Sequence, residues 1–225
     1  MNPIIIALDC ETAAEARGIV EATAEEITFY KVGLELYTVA GMGFVDELLG
    51  RGKQVFLDLK FHDIGETVKR AVRQVARSGV SLLTVHAEPG VMRAAVEGRG
   101  DSGLQLLGVT VLTSIAESDL PAMGYTCSLG ELFALRVRNA MEAGVDGLVC
   151  SPLEVGALRA RVGPGKILVT PGVRSAGADV GDQKRVATPA AAMAAGASYL
   201  VVGRQVTRAA DPGAAVRQIL REINP

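Results

Sequence analysis

The sequence predicts a (β/α)8 barrel. Three observations carry the prediction. Eight short apolar runs alternate with longer amphipathic stretches along 225 residues, which suits a barrel of about 250 residues. The runs are too apolar to alternate cleanly, as parallel strands covered on both faces should be. Polar residues gather where the runs end, on the side where barrel enzymes place their chemistry.

The strand candidates, in order, are 4–9, 28–33, 54–60, 82–86, 104–113, 147–151, 166–170 and 199–203. The stretches between them read as helices with matching punctuation. Thr12 to Glu15 and Ser128 to Glu131 have capping-box spacing. Thr188-Pro189 and Asp211-Pro212 put a capping side chain before a proline at the first helical position. Gly79, Gly144 and Gly196 stand where a helix would end before a strand. Eight β-then-α units argue for a closed parallel barrel, with a doubly wound open sheet as the structural alternative. No linker or composition shift divides the chain, so residues 1–225 are expected to form one domain.

Composition excludes several function classes. The chain is 49% apolar, carries a net charge of −2 and lacks tryptophan. It holds no basic block of the kind that binds nucleic acid. Apolar runs such as 4–8 and 199–202 fall far short of the roughly 20 residues a membrane span needs. The chain begins directly with a strand-like run and shows no signal-peptide layout, so a cytoplasmic location is expected. Cys10, Cys127 and Cys150 are odd in number and have no metal-ligand spacing; they read as reduced thiols.

The strand ends supply the candidate site. Strand one ends in Asp9, strand two carries Lys31, and strand three runs into Asp58, Lys60 and Asp63. Strand four ends in His86, strand five in Thr113-Ser114, strand seven in Thr170-Pro171-Gly172 and strand eight in Gly203-Arg204. Any one such charge could be half of an ion pair plugging the barrel mouth. Asp9, Lys31, Asp58 and Lys60 together in apolar strands are costly unless they serve chemistry. Residues two apart on a strand share a face, so Asp58 and Lys60 both point inward, while Asp63 lies beyond the strand end. Carboxylates beside an ammonium set a fixed negative field. A substrate carboxylate about 4 Å from one of them is repelled by roughly 4 kcal/mol at an effective dielectric of 20. A lysine beside that spot can deliver a proton to a developing carbanion.

The other end of the chain carries an anion signal. Barrels often bind phosphate in the loops after strands seven and eight. Here Gly203-Arg204 offers a glycine backbone and a guanidinium. The long glycine-rich segment 171–183 reads as a lid, with Arg174 and Gln183 as its anion contacts.

Taken together, these residues resemble the bacterial branch of the orotidine 5′-monophosphate decarboxylases. The resemblance covers nearly the whole chain. It rests on Ala7-Leu8-Asp9, Lys31-Val32-Gly33, the run VFLDLKFHDIGET from Val55 to Thr67, residues 109–114, residues 169–174, residues 181–185 and Val202-Gly203-Arg204. The DLKFHDI run is highly specific, whereas a bare D-x-K-x-x-D also marks related sugar-phosphate decarboxylases and synthases. The resemblance implies cofactor-free decarboxylation of orotidine 5′-monophosphate to uridine 5′-monophosphate in pyrimidine biosynthesis. It makes Lys60 the proton donor to C6, and Lys31, Asp58, Lys60 and Asp63 the charge network around the substrate carboxylate. Asp9 and Lys31 would meet the ribose, Thr113 the pyrimidine, and Arg174, Gln183, Gly203 and Arg204 the phosphate. It also implies a homodimer in which Asp63 and Thr67 reach the partner's site. Position 65 is glycine where the family often has proline, which would loosen the loop holding Asp63.

His62 and His86 read as loop-structuring side chains rather than acid–base groups. No metal site is expected from histidine and cysteine spacing. Two other readings stay open at this point: a magnesium-dependent relative built on the same D-x-K-x-x-D, and a barrel that binds a phosphorylated ligand without chemistry.

Overall fold

Eight parallel strands close on themselves in the order in which they occur along the chain. They are β1 (Ile4–Ala7), β2 (Phe29–Gly33), β3 (Gln54–Phe61), β4 (Leu82–His86), β5 (Gln105–Val109), β6 (Gly147–Val149), β7 (Ile167–Pro171) and β8 (Tyr199–Val202). Closure comes from β1 pairing with β8, Ile4 opposite Leu200. The structure is a computed structural model that describes residues 2–112, 115–175 and 187–224. The helices are α1 (Ala13–Ala22), α2 (Leu34–Gly50), α3 (Gly65–Ser78), α4 (Pro89–Arg99), α5 (Leu129–Ala143), α6 (Val155–Val162), α7 (Pro189–Ala194), the short α8 (Arg204–Thr207) and α9 (Pro212–Ile223). The (β/α)8 barrel read from the sequence is therefore the fold.

Two apolar layers hold it. Inside the barrel, Ile5, Ala7, Phe29, Phe56, Leu82, Leu107, Val169 and Val201 pack into one cluster. The alternate strand residues face outward and pack against buried helix residues such as Val68, Val72 and Val75 of α3. The punctuation follows the side-chain chemistry. Ser128 forms a full capping box with Glu131, while Thr12, Thr188 and Asp211 each accept a backbone N–H three residues on. Gly79 and Gly144 end α3 and α5 in left-handed backbone, at φ 90° and 80°.

Four strands stop short of their expected ends, strand eight by the single residue Gly203. Strand five was expected over 104–113 but its ladder ends at Val109, because the next carbonyl, that of Thr110, is taken by the Arg136 guanidinium. Strand six keeps one ladder bond past Val149, from the Cys150 N–H to the Val169 carbonyl. Strand one keeps one past Ala7, from the Leu8 N–H to the Lys31 carbonyl. Among the described residues, no helix is long and apolar enough to cross a membrane.

The period-two alternation positions the site. Continuing each inward row toward the carboxyl end takes Ala7 to Asp9, Phe29 to Lys31, Phe56 to Asp58, Leu82 to Thr84, and Val201 to Gly203. The barrel is thus apolar in its middle and polar at its mouth.

Candidate active site

A cavity of about 640 Å³ opens at that mouth, a volume typical of small-ligand sites. Asp9, Lys31, Asp58 and Lys60 line one side of it, and Gly172, Arg174, Gly203 and Arg204 line another. The strand ends that the sequence marks as polar therefore meet around one space.

The first side is a row of alternating charges. Lys31 Nζ donates to Asp9 Oδ1 at 2.8 Å and lies 3.8 Å from Asp58 Oδ2. Lys60 Nζ donates to Asp58 Oδ1 at 2.9 Å. The Lys31 side chain is only 9% exposed, and these two carboxylates are its ion-pair partners in that buried position. Burial works to raise the Asp58 carboxyl, but Lys31, Lys60 and hydrogen bonds from Lys60 and Thr84 outweigh it and hold the group below the usual carboxylate range. Gly33 keeps this row intact: a Cβ there would come within 2.8 Å of Lys31 Nζ and 2.9 Å of Asp9 Oδ1.

Asp63 does not join the row within the chain. Its Oδ1 accepts the Ile64 N–H at 2.6 Å, its side chain is exposed, and neither it nor Thr67 lines the cavity. The expected pair of carboxylates around Lys60 is thus met within the chain by Asp58 alone. Ile64, next to Asp63, is 73% exposed. Gly65 opens α3 without a positive φ.

The second side is cationic. Arg174 follows β7, its guanidinium donating to the Val173 carbonyl at 2.7 Å. Arg204 opens α8 directly after Gly203. Thr113 and Gln183, the expected pyrimidine and second anion contacts, lie outside the described residues.

Several residues of the cavity were not singled out by sequence reasoning. Arg208 also lines it, four residues beyond Arg204; that spacing was the available signal. Ser151 lines it from the end of β6, two residues after the inward Val149, and its buried hydroxyl has no partner among the described residues. Cys150 lines it too, but burial pushes its thiol up to about 12, which keeps the nucleophilic thiolate scarce.

The two histidines meet, although 24 residues separate them. Their ring centroids lie 5.0 Å apart, and His62 Nε2 is 3.1 Å from Glu88 Oε2. Burial, then the charges of His62 and Arg136, push His86 below its ordinary value. Neither ring lines the cavity, consistent with a role in shaping the loop. Among the described residues, no group of three histidine, cysteine or acidic side chains could hold a metal ion.

Comparison with known proteins agrees with this geometry. The model of the orotidine 5′-phosphate decarboxylase / HUMPS family matches residues 2–219. The orotidine 5′-phosphate decarboxylase of Rhodopseudomonas palustris (strain BisB5) is 52% identical over 220 residues, covering 98% of this chain and 94% of that one. The enzyme of the same name from Caulobacter sp. (strain K31) is 50% identical, covering 98% and 96%. The crystal structure of orotidine 5′-phosphate decarboxylase from Lactobacillus acidophilus superposes with a TM-score of 0.87 at 34% identity, covering both chains in full.

Proposed function

The chain belongs to the orotidine 5′-phosphate decarboxylase / HUMPS family, and we propose that it acts as an orotidine 5′-phosphate decarboxylase in which Lys60 protonates C6. It converts orotidine 5′-monophosphate to uridine 5′-monophosphate and carbon dioxide, a step of pyrimidine biosynthesis. The observation that carries the mechanism is the charge row ending in the Asp58–Lys60 pair at 2.9 Å inside the cavity.

The chemistry follows from that row. The C6–carboxylate bond breaks, carbon dioxide leaves, and the electron pair stays on C6. Lys60 Nζ gives C6 a proton, and solvent later restores it. The substrate carboxylate sits near Asp58, where repulsion of roughly 4 kcal/mol favours its departure. Enzymes lower barriers by roughly 8–23 kcal/mol, and a carbanion left on a vinyl carbon needs the upper part of that range. Repulsion alone is too small. Stabilisation of the developing charge by Lys60 supplies more, and so does binding energy from the remote phosphate. Arg174, Gly203 and Arg204 hold that phosphate, together with Gln183. Asp9 and Lys31 hold the ribose, and Thr113 meets the pyrimidine.

The protein acts as a cytoplasmic homodimer, with residues 1–225 as one domain. Asp63 and Thr67 serve the partner's site. The exposure of Asp63, which does not line the cavity of its own chain, supports this arrangement.

Two experiments test the reading. Purified protein mixed with orotidine 5′-monophosphate should bleach the orotate chromophore, with undiminished activity in EDTA. No turnover contradicts the function, and loss in EDTA favours a metal-dependent relative. Mixing inactive Lys60→Ala and Asp63→Ala subunits should restore turnover in the hybrid; no recovery contradicts the shared site.

A further inference from the structure

We propose that the Thr84 hydroxyl is a clip that holds the backbone bulge on which Asp58 and Lys60 are displayed, and that Thr84 is a positioning residue for decarboxylation. The inference begins with the strand register. β3 and β4 pair Leu57 with Leu83, and their next pair is Phe61 with Val85. Residues 58–60 of β3 therefore face Thr84 alone. Such a bulge re-aims side chains but removes amides from the ladder.

Lys60 sits in that bulge at φ +50°, the one non-glycine residue with a positive φ among those described. L residues avoid this region, and they stay there only when the surroundings over-determine it. Thr84 does so with one oxygen. Its Oγ1 accepts the Lys60 backbone N–H at 2.9 Å and donates to Asp58 Oδ1 at 2.9 Å. The same Oδ1 takes the Lys60 ammonium at 2.9 Å. A closed ring results, running from carboxylate to ammonium to backbone to hydroxyl. Thr84 is fully buried, so no bulk water can replace a lost hydroxyl, and both of its partners would be left short.

An inward β-branched residue above Leu82 could have served packing alone. The two hydrogen bonds distinguish the clip from that role, and they define the test. Thr84→Val keeps the shape and removes the hydroxyl; Thr84→Ser keeps the hydroxyl. The turnover readout rests on the decarboxylase reading, so amide exchange over residues 58–61 is followed by mass spectrometry alongside it.

The clip predicts that Thr84→Val lowers kcat roughly 10- to 100-fold, with KM and uridine 5′-monophosphate affinity within about threefold of wild type. Exchange over 58–61 should rise about tenfold, and Thr84→Ser should restore both. A kcat loss under about tenfold, an equal loss in Thr84→Ser, or unchanged exchange in Thr84→Val overturns the proposal. If wild type itself shows no turnover, the decarboxylase reading fails and exchange alone decides the clip. Should Thr84→Val fail to fold, the Thr84→Ala and Thr84→Ser pair makes the same comparison.

Discussion

The two sides of the cavity are built differently. The acidic–basic side stands on strands: Lys31 and Asp58 are ladder residues, largely buried and locked to one another. The cationic side stands just past the strands, where Arg174 follows β7 and the exposed Arg204 opens α8. The first is positioned by the barrel before any ligand arrives. The second lies closer to solvent, at the outer edge of the barrel mouth. Reaction chemistry needs the fixed geometry, and recruitment of a remote phosphate needs the accessible one.

The largest expected effect breaks the strand side. Lys60→Ala should lower turnover by roughly 10³-fold, the contribution of a positioned proton donor. Steady-state decay of the orotate absorbance measures it, and a drop under about tenfold would remove Lys60 from that role. Breaking the other side should look different. Arg204→Ala should raise KM roughly 100-fold through loss of a charge-assisted contact, with a smaller fall in kcat. Equal losses in kcat for the two variants would erase the distinction.

The smallest effect concerns neither side but the histidine pair behind them. His86 is held below the ordinary imidazole value of 6.5. Below 6.5 the unfolded chain binds a proton that the fold resists, so stability is full above that value and falls as pH drops through it. Melting temperature should therefore decline from about pH 7 to about pH 5.5 more in wild type than in His86→Asn. Parallel curves for the two proteins would show that the histidine is not the source.

Much of this was legible in the sequence because it depends on local rules. Strand runs, caps and helix-ending glycines follow from side-chain chemistry within a few residues. The Asp58–Lys60 pairing followed from period two. What escaped needed long-range contact. The period argument assumed a regular strand, whereas Lys60 reaches its place through a bulge and a positive φ. Nothing local marks Thr84 as its partner, because only the β3–β4 register brings residues 24 apart together. The histidine pair and the Arg136 bond that cuts β5 short are tertiary in the same sense. Asp63 was placed on a loop correctly, but its distance from Lys60 within one chain depends on where that loop turns into α3.

The division of labour is tested most directly by titrating uridine 5′-monophosphate into Lys60→Ala and Arg204→Ala by calorimetry. The account predicts that Lys60→Ala binds the nucleotide within about tenfold of wild type, while Arg204→Ala loses roughly 100-fold. A Lys60→Ala protein that loses the nucleotide as badly as Arg204→Ala would contradict it.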